Sequence, residues 1–401
     1  MGAPSSSVAG LYSQLCTCSV FSGMLELPIF KKFFCYAEEK TSKNKQLFAY
    51  SAFVSEIYSG GGNLTECIRR ALYEDENVYV VSLSRKIACP ASIAASAKRE
   101  LVILSEFAAL APSDFARDMQ ADIDIPGFDS ERADFVREYS ERISMIGKYG
   151  YGMFAAYGMF RLGDGAHPSL EPIRTPDEIT VDAFIGYSEE RGKVIANTEA
   201  FLSGKPAANA LLYGDAGTGK SSTVKAVANM FFSEGLRLIE LRKDQLSLLP
   251  YVMGKICDNP LKFIIFIDDL SFFRSDDCFS MLKAALEGSA SAKAGNAIIY
   301  ATSNRRHIVR ESFSEREGTE VHRNDSMQEA LSLSERFGLK ILFARPNQQL
   351  YLEIVRELAR KKNIDIPRQE LETRAEAFAL ARGTRSARCA EQFVDSLSLA
   401  D

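Results

Sequence analysis

The densest chemistry in the chain lies in eight consecutive residues, Gly214-Asp215-Ala216-Gly217-Thr218-Gly219-Lys220-Ser221. They spell G-x-x-x-x-G-K-S, the phosphate-cradling P-loop. Glycines let the backbone curl until successive N–H groups point at phosphate oxygens. A helix opening directly after the loop adds its free N–H groups and positive dipole end. In this motif Lys220 reaches the β- and γ-phosphates and the Ser221 hydroxyl ligates Mg²⁺, so the run from Gly214 to Ser222 is the expected nucleotide contact.

Three further constellations follow in order. Phe263-Ile264-Ile265-Phe266-Ile267-Asp268-Asp269 is an apolar run ending in two carboxylates. Such a run fits a strand buried on both faces, with its acids at the end where ligands bind in parallel sheets. Asp268 is expected to hold Mg²⁺ and Asp269 to polarise the attacking water. The run Ala297 to Asn304 reads as a second strand ending in Asn, whose amide both donates and accepts and would contact the γ-phosphate and orient that water. Arg336, before a last strand, has two readings: a finger reaching a neighbouring subunit's γ-phosphate, or a surface residue paired with Glu335 or Glu329. Gly383-Thr384-Arg385-Ser386-Ala387-Arg388 opens the final helix, and Arg385 and Arg388 have two readings: one of them clamps phosphates, or both are ordinary exposed basic residues. Arg305-Arg306-His307 follows Asn304, with a solvated loop the commoner reading and a nucleic-acid contact the sharper one.

The elements that must position these residues read as follows. Ala210–Tyr213, Arg237–Leu241, Phe263–Ile267, Ala297–Thr302 and Leu339–Phe343 are short apolar strands alternating with helices, the pattern of a parallel α/β sheet. Helical periodicity covers Ser222–Phe232. Beyond Pro346 only helices remain, at Gln348–Lys362, Arg368–Ala381 and Ser386–Leu397, forming a small lid. The expected organisation is a mainly helical N-terminal domain over 1–125 and a connecting segment over 126–180. An ATPase core over 181–345 and a lid over 346–401 follow. In the first domain helices are expected at Leu47–Tyr58, Leu64–Tyr73 and Ala91–Ala109, with Gly60-Gly61-Gly62 as a flexible connection. The Gly- and aromatic-rich run Tyr149–Phe160 is expected to pack its rings on a neighbouring domain, and Asp164–Pro176 to be a linker.

The chain has 401 residues with a formal net charge of −5, which argues against a general nucleic-acid coat. Its eight cysteines form no C-x-x-C, and with three histidines they give no zinc pattern. Cys257, Cys278 and Cys389 fall in helical segments, where buried reduced thiols are expected, as suits the cytoplasm. No apolar run reaches membrane-spanning length and no leader peptide is expected. Tyr251-Val252-Met253-Gly254 resembles an aromatic pore loop, but it lies too close to the next strand and reads as helix core.

The P-loop, Asp268-Asp269, Asn304, Ser334-Glu335-Arg336-Phe337-Gly338 and the Arg388 helix stand in the order of the AAA+ ATPases. Phe184-Ile185-Gly186-Tyr187, Asn197–Leu202, Asp268–Phe272, Tyr300–His307 and Arg385–Arg388 resemble one bacterial AAA+ family, catalogued only as a domain of unknown function (number eight-fifteen). The likeness runs from about Thr180 to Leu397. It implies a five-stranded parallel sheet with a helical lid, ATP and Mg²⁺ at their junction, and homo-oligomeric rings in which one subunit's arginine acts on the next. Carried over, Asn304 is sensor one, Arg336 the finger, Arg388 sensor two, and Ile185 and Gly186 line the adenine pocket. Where most relatives of that class have Glu, this chain has Asp269, one methylene shorter. Three functions fit: ATP hydrolysis driving change in an unidentified protein partner, a slow or inactive ATP switch, or a nucleic-acid loader or motor.

Overall fold

A computed structural model describes residues 7–120, 123–165, 168–270, 282, 286, 295–304 and 335–398. The chain forms two compact units, 1–156 and 157–401.

The first unit is helical: α1 (Val8–Leu15), α2 (Pro28–Glu38), α3 (Lys43–Ser59), α4 (Leu64–Glu74), α5 (Val78–Ser84), α6 (Ala91–Ala108), α7 (Pro112–Met119), α8 (Phe135–Ser144), α9 (Ile146–Tyr149) and α10 (Met153–Ala156). Its core is aromatic. Phe33 meets Phe107 at 4.7 Å between ring centres, and Tyr50 meets Phe115 at 5.1 Å. Ring contacts of this kind, edge-to-face for Phe33–Phe107 and tilted for Tyr50–Phe115, add to the burial of the rings themselves. Asn63 caps α4 by accepting from the Glu66 N–H. The preceding glycines are tied down, since Asp129 donates its N–H to the Gly62 carbonyl and accepts from the Leu64 N–H. Tyr151, from the Gly- and aromatic-rich run, joins this core.

The second unit is α/β. Its strands are β1 (Met159–Leu162), β2 (Leu170–Pro172), β3 (Ala210–Gly214), β4 (Leu236–Leu241), β5 (Lys262–Ile267), β6 (Ala297–Ser303) and β7 (Leu339–Phe343). They form one sheet in the order β2-β1-β4-β5-β6-β3-β7, parallel throughout except for the antiparallel β1–β2 pair. The five expected strands are present, but among the described residues the sheet has seven. The two added strands come from residues read in the sequence as aromatic connection and linker. Met159 and Phe160 are buried, and Met159 pairs with Leu238, extending the sheet past β4. Short runs punctuated by Gly and Pro give too little periodicity to reveal such strands.

The central strands are continuous apolar runs because both faces are covered. One cover is α11 (Ser188–Leu202), where Asn197 Nδ2 and Thr198 Oγ1 hydrogen-bond the buried Tyr300 hydroxyl at 3.0 and 2.8 Å. Further helices are α12 (Lys220–Met230) and α13 (Leu249–Ile256), the latter holding Tyr251 as expected. The lid comprises α14 (Gln348–Lys361), α15 (Arg368–Arg382) and α16 (Ala387–Ser398), packed around Tyr351, Ile354, Leu371, Ala390 and Phe393. Asn347 caps α14 through the Leu350 N–H, and Ser386 accepts from the Cys389 N–H at 3.1 Å at the start of α16.

Among the described residues the cysteines are free. Cys389 is buried, as expected, but Cys257 is exposed: it caps the end of α13 instead of facing the core. Cys278 lies outside the described residues. Among those residues no helix is long and apolar enough to cross a membrane.

Candidate functional site

The site begins where β3 ends. Gly214, Gly217 and Gly219 have φ of 135°, 74° and 86°, so the loop curls as only glycine does readily. At Gly217 a further constraint acts. A Cβ there would lie 3.2 Å from both Arg388 Cβ and Ser386 Oγ, because the start of α16 rests on the loop. The Arg388 N–H donates to the Gly217 carbonyl at 3.3 Å. Lys220, on the first turn of α12, is buried and folds back to donate to the Asp215 carbonyl at 2.6 Å and the Gly214 carbonyl at 3.3 Å. Burial lowers its pKa, and the charges of Asp215, Asp268 and Asp269 oppose that shift.

The acids and the amide arrive from the neighbouring strands. Ser221 Oγ donates to Asp268 Oδ1 at 2.6 Å, joining α12 to the end of β5. Asn304 Nδ2, just past β6, donates to Asp269 Oδ1 at 2.8 Å. Asp269 has φ of +51°, a left-handed conformation that Asp and Asn tolerate better than longer side chains. The structure thus brings Lys220, Ser221, Asp268, Asp269 and Asn304 to one end of the sheet, with Gly217 and the start of α16 beside them. Ser221 and Asp268 are hard oxygen donors of the type Mg²⁺ takes. Among the described residues no group of three or more His, Cys, Asp and Glu could hold a metal by itself.

Ile185 and Gly186 lie between the sheet and the lid. Ile185 packs against the lid core, and a Cβ on Gly186 (φ +72°) would sit 2.6 Å from Leu350 Cδ1. Tyr187 anchors this segment, with its hydroxyl on the Ala344 carbonyl at 2.6 Å and its ring 5.5 Å from Phe343.

The three candidate arginines separate. Arg388 starts the helix that touches the P-loop. Arg385 pairs with Glu376 within the lid at 2.6 Å, so it would have to leave that partner to meet a phosphate. Arg336 precedes β7. Because Gly214 is paired with Phe343 and Ala210 with Leu339, Arg336 stands at the opposite end of the sheet from its own P-loop. The four residue steps of β7 from Leu339 to Phe343 alone span roughly 13 Å. Arg305, Arg306 and His307 lie outside the described residues.

Sequence reasoning missed two residues. Thr302 is a buried hydroxyl within β6, and its one signal is a polar residue in an otherwise apolar run. Arg345, just after β7, donates its N–H to Asp215 Oδ2 at 2.8 Å and its guanidinium to the Gly383 carbonyl at 2.9 Å, linking P-loop and lid. Nothing local in the sequence marks it.

Fold comparisons agree only loosely. The Thermotoga maritima RuvB Holliday junction branch migration motor matches with a TM-score of 0.34 at 13% identity, covering 55% of this chain and 72% of that one. A single-substitution variant of the same protein gives 0.34 at 14% identity over the same shares. A likeness of that size says nothing about activity. No curated protein matches the chain. The model of the family described as a protein of unknown function (DUF815) matches residues 155–400, more than half of the chain. That span holds the whole sheet, the G-x-x-x-x-G-K-S loop, both acids and the lid, and the chain belongs to the DUF815 family.

Proposed function

We propose that this chain binds ATP and hydrolyses it to ADP and phosphate, and that the cycle drives conformational change in an unidentified protein partner. The observation that carries the reading is the convergence of Lys220, Ser221, Asp268, Asp269 and Asn304 through short hydrogen bonds at the strand ends. In this reading the loop amides from Gly214 to Gly219 cradle the phosphates, and Lys220 exchanges its two carbonyl partners for β- and γ-phosphate oxygens. Ile185 and Gly186 line the adenine side. Bound between Ser221 and Asp268, Mg²⁺ would neutralise charge on the β- and γ-oxygens. Asp269, held by Asn304, accepts a proton from the water that attacks the γ-phosphorus, and the bond to the β–γ bridging oxygen breaks, leaving on ADP.

Arg336 supports an oligomeric reading. From the far end of the sheet it serves a second copy's nucleotide and not its own, which points to a ring or other closed assembly. Arg388 then acts from the lid of the same copy.

The slow-switch reading has one observation in its favour, the short left-handed Asp269. Single-turnover hydrolysis by the purified chain decides between the two. Wild-type protein is expected to release phosphate well above the protein-free rate, and Lys220→Ala to lose ATP binding by about 100-fold, the worth of one charged contact. Wild-type hydrolysis equal to the protein-free rate would leave only the switch.

A further inference from the structure

One residue of β6 holds the whole acidic turn. Thr302 is 1% exposed and makes three bonds to three consecutive residues. Its hydroxyl donates to Asp268 Oδ1 at 2.5 Å and accepts the Asp269 N–H at 3.0 Å, while its carbonyl accepts the Leu270 N–H at 2.7 Å. The strand register explains why. Ile267 is paired with Ala301, so the chain leaving β5 turns directly over Thr302.

The consequence falls on both carboxylates. Asp268 Oδ1 accepts from the Thr302 hydroxyl, the Ser221 hydroxyl and, at 3.1 Å, the Asp269 N–H. With one oxygen saturated, Oδ2 is the oxygen without a protein donor among the described residues. The Asp269 N–H, shared between Thr302 Oγ1 and Asp268 Oδ1, pins that residue at φ +51°, and its side chain then meets Asn304. A left-handed residue there favours Asp or Asn, whose short side chains tolerate the conformation.

We propose that Thr302 is a positioning residue of this site: its hydroxyl fixes the metal-binding carboxylate and the left-handed turn together, and the site so held is built for aspartate at 269. Asp269 is then the matched residue, and lengthening it to glutamate does not improve the site. The inference rests on the ATPase reading for its rate, but not for its effect on Mg²⁺.

The test uses the full chain with Thr302→Val, Thr302→Ser and Asp269→Glu. Fluorescent ATP-analogue binding is measured across a Mg²⁺ titration, alongside single-turnover hydrolysis and thermal unfolding. Thr302→Val fits a strand but leaves the Asp269 N–H and Asp268 Oδ1 facing a methyl group. It is expected to raise the Mg²⁺ concentration for half-maximal binding, and to slow hydrolysis, by about tenfold each, the loss of one charge-assisted hydrogen bond. Thr302→Ser keeps the hydroxyl and is expected to recover both to within about twofold. Asp269→Glu is expected to hydrolyse more slowly than wild type. The proposal is overturned if Thr302→Val keeps the wild-type Mg²⁺ midpoint, if Thr302→Ser is as impaired as Thr302→Val, or if Asp269→Glu is faster than wild type. A wild type that binds nucleotide with Mg²⁺ but never hydrolyses it removes the ATPase reading alone, and the Mg²⁺ midpoint still decides for or against Thr302. A wild type without Mg²⁺-dependent binding overturns both.

Discussion

Two sets of polar groups, one in each unit, are placed differently. In the helical unit, Glu100 is fully buried on α6, and its carboxylate accepts from the Ser19 N–H and hydroxyl and from the Val20 and Phe21 N–H groups, all within 3.1 Å. Thr65 likewise bonds the Ala108 and Glu131 carbonyls and accepts the Glu131 N–H. Every such bond closes the fold on itself. In the α/β unit, Lys220, Ser221 and Asn304 bond each other's loops and acids around a cradle of positive-φ glycines. Under the proposed function those bonds are exchanged for bonds to a phosphate or a cation. Glu100 and Thr65 are enclosed, whereas Ser221 is partly exposed and Asn304 exposed at the strand ends.

That contrast breaks if the wrong side responds to substitution. Glu100→Ala strands several buried donors and is expected to cost about 3–5 kcal/mol in urea unfolding. An unchanged midpoint would show that the carboxylate does not hold the turn at Ser19–Phe21. Gly217→Ala forces an L-residue into φ +74° against Arg388 and Ser386, and is expected to weaken ATP-analogue binding about tenfold. Wild-type affinity in that variant would separate α16 from the P-loop. Arg385→Ala removes a half-buried pair with Glu376 and is expected to leave nucleotide affinity nearly unchanged while lowering stability by about 1 kcal/mol at most. A large loss of affinity there would instead make Arg385 the lid's phosphate contact.

Much of this arrangement was legible because it is local. G-x-x-x-x-G-K-S fixes a loop through its own φ requirements, and five apolar runs announced five strands. The lid helices were read to within about two residues because their apolar spacing and flanking Pro367 and Gly383 mark them. What was not legible depends on pairing between distant segments. β1 and β2 are too short to show alternation and exist because Met159 lies beside Leu238. Thr302 acquires its role from the register of β5 and β6, and Arg345 from the close approach of Asp215 and Gly383. The exposed position of Cys257 follows from where α13 stops, a boundary that propensity fixes poorly.

The central claim is that the hydrolytic site is completed by a second copy, with Arg336 acting away from its own P-loop. Mixing two single variants tests it most directly. Lys220→Ala keeps the arginine but lacks the nucleotide contact, and Arg336→Ala keeps the nucleotide contact but lacks the arginine, with turnover lowered by about 10³-fold. Each is expected to be nearly inactive alone, and the mixture to regain a substantial fraction of wild-type ATP turnover. A mixture no more active than its separate components would contradict the shared site.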